Sequence, residues 1–110
     1  MNFFKKFLAS LRLYEAIRMA NDAHSKDGER YYVMPTSGKS GQLVIMNRTN
    51  FRKLKQKHYI KLNSSVYDLE TKCFYCTPYK NGTGKLSHDI IKMKRKFYYS
   101  WLNSINKKKA

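Results

Sequence analysis

Large apolar residues come in separate bursts along this chain, and their spacing switches between helical and strand-like periods. Phe4, Phe7, Leu8, Leu11, Tyr14 and Ile17 recur at steps of three and four. That stripe predicts an amphipathic helix from about Asn2 to Ser25. Asn2 is placed to cap its start, and Lys26, Asp27 and Gly28 supply the stop. RYYVMPT and QLVIMN are β-rich runs on either side of the short loop SGKSG. This is the composition of a β-hairpin, with Pro35 at a strand end or edge.

Thr49 is expected to cap a short helix, NFRKLKQK, from about Asn50 to His58. Phe51, Leu54 and His58 share one face of it, and Arg52, Lys53, Lys55 and Lys57 cover the rest. Ser65 and Asp68 have capping-box spacing and open a second short helix, VYDLETK. CFYCTPY reads as a third strand, ended by Pro78 and the turn KNGTG. Ser87 caps a last helix from His88 to about Lys107, and the tail beyond it is expected to fray. Ile90, Met93, Phe97, Trp101 and Ile105 form its apolar face, widened by Ile91, Tyr98 and Leu102. Lys92, Arg95, Lys96 and Tyr99 share the opposite face.

The predicted order is α-β-β-α-α-β-α in one domain of 110 residues. The fold class is α+β, with a small three-stranded antiparallel sheet. Two long terminal helices pack on a face of the sheet, and two short helices lie in the middle of the chain. No internal repeat or linker interrupts it.

Charge changes this picture most. The chain carries 23 Lys and Arg against 7 acids, a formal net charge of +16. Such an excess opposes compaction through self-repulsion and is eased by a polyanion. The partners it suggests are a DNA or RNA backbone, an acidic protein surface or an anionic membrane. Two cysteines, Cys73 and Cys76, are too few for a disulfide framework and suit a reducing compartment. No run is apolar enough to span a membrane, and Lys5, Lys6 and Arg12 interrupt any secretory core at the N-terminus. The expected location is therefore the cytoplasm, neither secreted nor transmembrane.

PTSGKSGQ contains the Gly-Lys-Ser tail of a phosphate-binding loop. A complete motif needs a glycine five residues before Gly38, and Val33 stands there. The loop leads into QLVIM, a strand rather than the helix whose N-terminus would face the phosphate. NGTGKLS also fails, because Leu86 occupies the Ser/Thr position and Tyr79 the first glycine. Turn chemistry accounts for both stretches. Lys39 and Lys85 can still touch a nucleic-acid backbone, which needs no motif.

The pair C-F-Y-C suggests zinc or redox chemistry. Read as a strand, it points Cys73 and Cys76 to opposite faces, which favours structural cysteines. His24, His58 and His88 lack the spacing of a two-histidine zinc half-site. Glu15, Asp22, Asp27 and Glu29 are expected to balance nearby Arg and Lys. No constellation of these residues points to an enzyme, a metal or a cofactor. The two short middle helices suggest a helix-turn-helix. The second of them, however, would offer Tyr67, Asp68, Glu70 and Thr71 to the bases, a partly acidic set that reads the major groove poorly.

The runs GERYYVMP, LVIMNRTNFRKLKQKHYI and CFYCTPYKNGTGKLS, together with a Lys-rich final helix, resemble small uncharacterised proteins of crAss-like phages and their gut Bacteroidales hosts. The likeness covers roughly residues 12 to 105, and it rests on structural patterns rather than catalytic signatures. It implies a viral protein located in the host cytoplasm or the virion. It also implies a non-enzymatic role, as a virion component or a factor acting on a host assembly.

The sequence supports two main readings. In the first, the protein binds nucleic acid through phosphate contacts without strong sequence preference. Arg52, Lys53, Lys55, Lys57, Lys92, Arg95 and Lys96 would contact the backbone, with Lys39 and Lys85, and Tyr99 would stack on bases. In the second it is a protein-interaction module, docking through Phe3, Phe4, Phe7, Leu8 and Leu11. A third and weaker option lays the basic, apolar N-terminal helix on an anionic membrane.

Overall fold

A computed structural model describes residues 3–36, 41–56 and 66–109. The observed elements are α1 (Phe3–Asp27), β1 (Tyr32–Pro35), β2 (Leu43–Met46), α2 (Arg48–Gln56), α3 (Val66–Lys72), β3 (Tyr75–Cys76) and α4 (His88–Lys109). Their order is the predicted one. The sheet is antiparallel with strand order β2-β1-β3, so β1 is central. Tyr32 pairs with Met46 on one side and Cys76 on the other, and Val33 pairs with Ile45 and Tyr75.

Local chemistry sets the element ends. α1 stops at Gly28, whose φ of 76° suits a residue without a Cβ. The Gly28 amide closes the last turn on the His24 carbonyl at 2.7 Å. Asn47, rather than Thr49, caps α2. Its Oδ1 accepts from the Asn50 amide at 2.8 Å while Asn50 Oδ1 accepts from the Asn47 amide at 3.3 Å. This reciprocal pair does the work of a capping box with amides in place of Ser and Glu. Ser87 Oγ accepts from the Ile90 amide at 3.3 Å and caps α4 as expected. The caps expected at Asn2 and Ser65 lie outside the described residues.

Alternation along β1 divides the core in two. Val33 faces a cluster with Ala9, Leu13, Ala16 and Ala20 of α1, Phe74, and Tyr98 and Leu102 of α4. Tyr32 faces Met46, Phe51 of α2, Leu69 of α3, Cys73 and Cys76. The long helices thus cover one face of the sheet and the short helices the other, a three-layer arrangement.

Both long helices are rotated from their expected orientation. On α1 the buried residues are Ala9, Leu13, Ala16 and Ala20. Phe4, Phe7, Leu8, Leu11 and Tyr14 are exposed, and of the predicted stripe Ile17 alone is half-buried. Alanines let the helix axis approach the sheet closely, and large side chains at those positions would hold it off. On α4 the buried set is Lys94, Tyr98, Leu102 and Ile105, with Trp101 half-buried, while Ile90, Met93 and Phe97 are exposed. The Phe74 ring sets the rotation: it meets Tyr98 edge-on at 5.3 Å and Trp101 at 5.4 Å.

Candidate nucleic-acid interface

Basic side chains reach solvent from both helical layers. On α2, Arg48, Arg52 and Lys53 are exposed, since Phe51 and Leu54 turn toward the sheet. On α4, Lys92, Arg95 and Lys96 are exposed, and Lys85 is exposed just before it. None of Arg52, Lys53, Lys85, Lys92, Arg95 and Lys96 forms an ion pair among the described residues. Lys39 and Lys57 lie outside the described residues, as does the side chain of Lys55. α2 and α4 pack against different sheet faces, so the two predicted basic sets do not merge into one patch.

Tyr99 is not a free stacking platform. It is half-buried between α1 and α4, and its hydroxyl shares a short hydrogen bond with Ser10. Lys6 Nζ lies 5.4 Å from its ring centroid. The exposed aromatics near it come from α1 instead. A groove of about 350 Å³ along the α1–α4 seam is lined by Phe7, Tyr14, Arg95 and Tyr99 among others. Phe7 and Tyr14 are 53% and 65% exposed there, so two rings and a guanidinium are open to one ligand. Sequence reasoning assigned Phe7 to a different role and Tyr14 to the core. A two-sided reading of α1, alanines inward and aromatics outward, would have found them.

A second cleft, of about 380 Å³, opens at the start of α2 and is lined by Arg30, Arg48, Lys80, Tyr79, Asp27 and Glu29 among others. The Tyr79 ring lies between two guanidiniums, at 4.2 Å from Arg30 and 5.4 Å from Arg48. Its hydroxyl donates to Glu70 Oε1 at 2.7 Å and accepts from Arg48 Nη2 at 3.0 Å. The carboxylates here do not pair with Lys. Asp27 accepts from the Tyr31 hydroxyl at 2.5 Å and the Glu29 amide at 2.9 Å, contacts that hold its pKa below the usual carboxylate value. Glu29 accepts from Asn47 at 2.6 Å. Of the N-terminal acids, Glu15 meets the expectation and pairs with Arg18 at 2.8 Å. This cleft sets Asp27 and Glu29 against Arg30, Arg48 and Lys80, whereas the seam groove is lined by Arg95 with no carboxylate among the described residues.

The strand expected over CFYCTPY is only Tyr75–Cys76. Cys73 still belongs to the end of α3, its amide bonded to the Leu69 carbonyl at 3.1 Å. The period-two placement of the thiols on opposite faces therefore fails, and both cysteines share one core cluster. The NGTGKLS turn is closed by the Gly82 amide on the Tyr79 carbonyl at 2.9 Å, with Gly82 and Gly84 at φ of 85° and 78°. Gly38 to Ser40 lie outside the described residues. Among the described residues no group of three His, Cys, Asp or Glu converges as a metal site, and no helix is long and apolar enough to cross a membrane.

No family model matches the chain, and no curated protein or solved structure is similar to it.

Proposed function

We propose that this protein binds nucleic acid, through phosphate contacts and without strong sequence preference, along the seam between α1 and α4. One observation carries the reading: the Arg95 guanidinium, which has no ion-pair partner among the described residues, shares one groove with the exposed Phe7 and Tyr14 rings, and Lys92 and Lys96 stand exposed on the same helix. Arg95, with Lys92 and Lys96, contacts phosphates, and Phe7 and Tyr14 stack on unpaired bases. This role is non-enzymatic and fits a phage component that acts on a genome or transcript.

The test is fluorescence anisotropy with mixed-sequence single-stranded and duplex probes across a salt series. Affinity should fall linearly on a log–log plot, by roughly 0.7 in slope per single-strand phosphate contacted. Arg95→Ala combined with Lys96→Ala should lower that slope by about one to two. Tyr14→Ala should weaken single-strand binding by about 1–3 kcal/mol while leaving the slope unchanged. Absence of binding at low salt, or binding indifferent to salt, refutes the reading.

A different observation favours protein docking. Phe3, Phe4, Leu8 and Leu11 are 87%, 67%, 40% and 45% exposed, a contiguous apolar surface that the monomer leaves uncovered. Under this reading Phe4→Ser with Leu8→Ser abolishes capture of a partner from infected cells and leaves nucleic-acid binding intact.

A further inference from the structure

Arg30 and Lys94, distant in sequence, meet Glu70, Cys73 and Cys76 beside the Tyr79 ring. The Arg30 side chain is only 8% exposed. Its Nη2 donates to Cys76 Sγ at 2.9 Å and to the Gly84 carbonyl at 3.1 Å, and its Nη1 reaches Glu70 Oε1 at 3.5 Å. Lys94 is 5% exposed and donates to the Glu70 carbonyl at 2.9 Å, the Cys73 carbonyl at 3.0 Å and Cys73 Sγ at 3.3 Å. Three acceptors use three N–H bonds, which an ammonium has and a neutral amine lacks. Tyr32, beside them, is fully buried and uncharged at ordinary pH.

The local charge count is decisive. Among the described residues these two buried cations have one carboxylate nearby: Arg30 reaches Glu70 Oε1, Lys94 reaches only the Glu70 backbone carbonyl, and that carboxylate is 35% exposed and also accepts from Tyr79. Buried charge without a counter-charge is expensive. One thiolate would balance the cluster. Cys76 is the sulfur that receives the guanidinium, in the charge-assisted geometry that stabilises an anion. Cys73 Sγ, by contrast, is placed to donate to the Glu70 carbonyl at 3.5 Å and so keeps its proton; the Cys73 thiol and Arg30 together hold the Cys76 thiol below its usual pKa, whereas Cys73 is pushed up. A structural cysteine has apolar surroundings and stays neutral, which is the opposite pattern. The same two cations disfavour a bound metal ion.

We infer that Cys76 and Cys73 form a peroxide-oxidisable dithiol site, with Cys76 as the thiolate that reacts and Cys73 as the thiol that resolves it. The Cys76 sulfur attacks hydrogen peroxide. An S–O bond forms, the O–O bond breaks, and hydroxide leaves, so sulfur is oxidised to a sulfenic acid and peroxide is reduced. Cys73 sulfur then attacks the Cys76 sulfur. The S–S bond forms, the S–O bond breaks, and the Cys73 proton leaves with the hydroxide as water. Cys73 and Cys76 are 0% and 2% exposed, which selects a small uncharged oxidant over a bulky disulfide. Arg30 both lines the open cleft at α2 and touches the sulfur, so the thiolate lies one side chain in from solvent.

The disulfide would tie the end of α3 to the strand behind it and remove the anion that Arg30 and Lys94 surround. The experiment treats the native full-length chain with hydrogen peroxide at neutral pH and follows its intact mass. The expected product is lighter by two hydrogens and is restored by dithiothreitol. Cys73→Ser should stop at a sulfenic acid, seen as a mass gain of one oxygen and trapped by dimedone when the oxidised chain is unfolded in its presence. Cys76→Ser should leave Cys73 at least about ten-fold slower to react. Arg30→Gln should slow Cys76 by a similar factor in a chain whose circular dichroism is unchanged. Thiolate absorbance in the ultraviolet gives a readout that needs no variant, with one thiolate per untreated chain at neutral pH. Two neutral thiols in that measurement, or equal reactivity of Cys73→Ser and Cys76→Ser, overturns the assignment.

Discussion

At the scale of single residues, backbone conformation and close contact separate two glycines that look alike in sequence. Gly41 has a φ of 75°, and a Cβ there would meet Leu102 Cδ2 at 2.8 Å. Gly82 has a φ of 85° and nothing within 4 Å. Alanine at Gly82 therefore costs only backbone strain, about 1 kcal/mol. At Gly41 it adds a clash with a buried side chain between β2 and α4, for a total of roughly 2–4 kcal/mol. Urea unfolding of Gly41→Ala and Gly82→Ala, compared by midpoint at constant slope, measures the difference; equal losses would mean that Leu102 moves aside freely. Tyr98 is a second such residue. It is fully buried and donates to the Ala9 carbonyl at 2.9 Å. Burial pushes its pKa from 10.0 up to about 12. Folding thus favours the neutral phenol. Its contribution is complete below pH 10 and is lost as pH rises from 10 through 12. Tyr98→Phe should cost about 1 kcal/mol at neutral pH. It should also flatten the alkaline loss, so that the two stability curves converge above pH 10. Parallel curves would assign the alkaline slope to other groups.

At the scale of elements, what was legible in the sequence is what local chemistry decides. Gly28, the hairpin composition, Ser87 and the turn through Gly82 each act within a few residues, so element order and most boundaries could be read directly. Which face of a helix turns inward is decided by partners distant in sequence. Large apolar residues marked α1's stripe, yet close packing against the sheet and α4 selected Ala9, Leu13, Ala16 and Ala20, a face made mostly of methyl groups. Cys73 was assigned to a strand on the β-rich composition of CFYCTPY, whereas its amide closes the turn that ends α3 on the Leu69 carbonyl. Nothing local in the sequence sets Arg30 and Lys94 apart from the other cations; the fold alone brings them to the end of α3. α3 has seven residues, too short to hold itself together. Lys94 caps its C-terminal end by binding the Glu70 and Cys73 carbonyls, where the helix dipole favours a cation. Lys94→Met keeps the apolar stem and removes the donors. It should lower stability by about 1–3 kcal/mol. Hydrogen exchange should show protection lost first from α3 amides, while β1 amides keep theirs. Uniform loss across the sheet would show that Lys94 supports the whole core rather than this helix end.

At the scale of the molecule, layering governs how the charge can act. α2 lies on one face of the sheet and α4 on the other, and the principal extents are 41 × 33 × 21 Å. Under the proposed reading, Arg52 and Lys53 would therefore address a different strand of nucleic acid from Arg95 and Lys96. Even the shortest extent, 21 Å, is about two and a half times the Debye length at physiological salt, so the two sets would attract phosphates almost independently. A protein with two independent cationic faces does more than bind a polyanion: it joins one to another, and each junction gains from the effective concentration of the second site. Mixed with long nucleic acid at sub-saturating ratio and near-physiological salt, the protein should condense it, seen as a rise in light scattering that added salt reverses. Removing Arg52 and Lys53 together should abolish scattering while lowering anisotropy-measured affinity for a short probe by less than about ten-fold. If scattering and short-probe affinity instead fall in proportion, the two faces serve one site, and the charge of +16 acts as a single field around the domain.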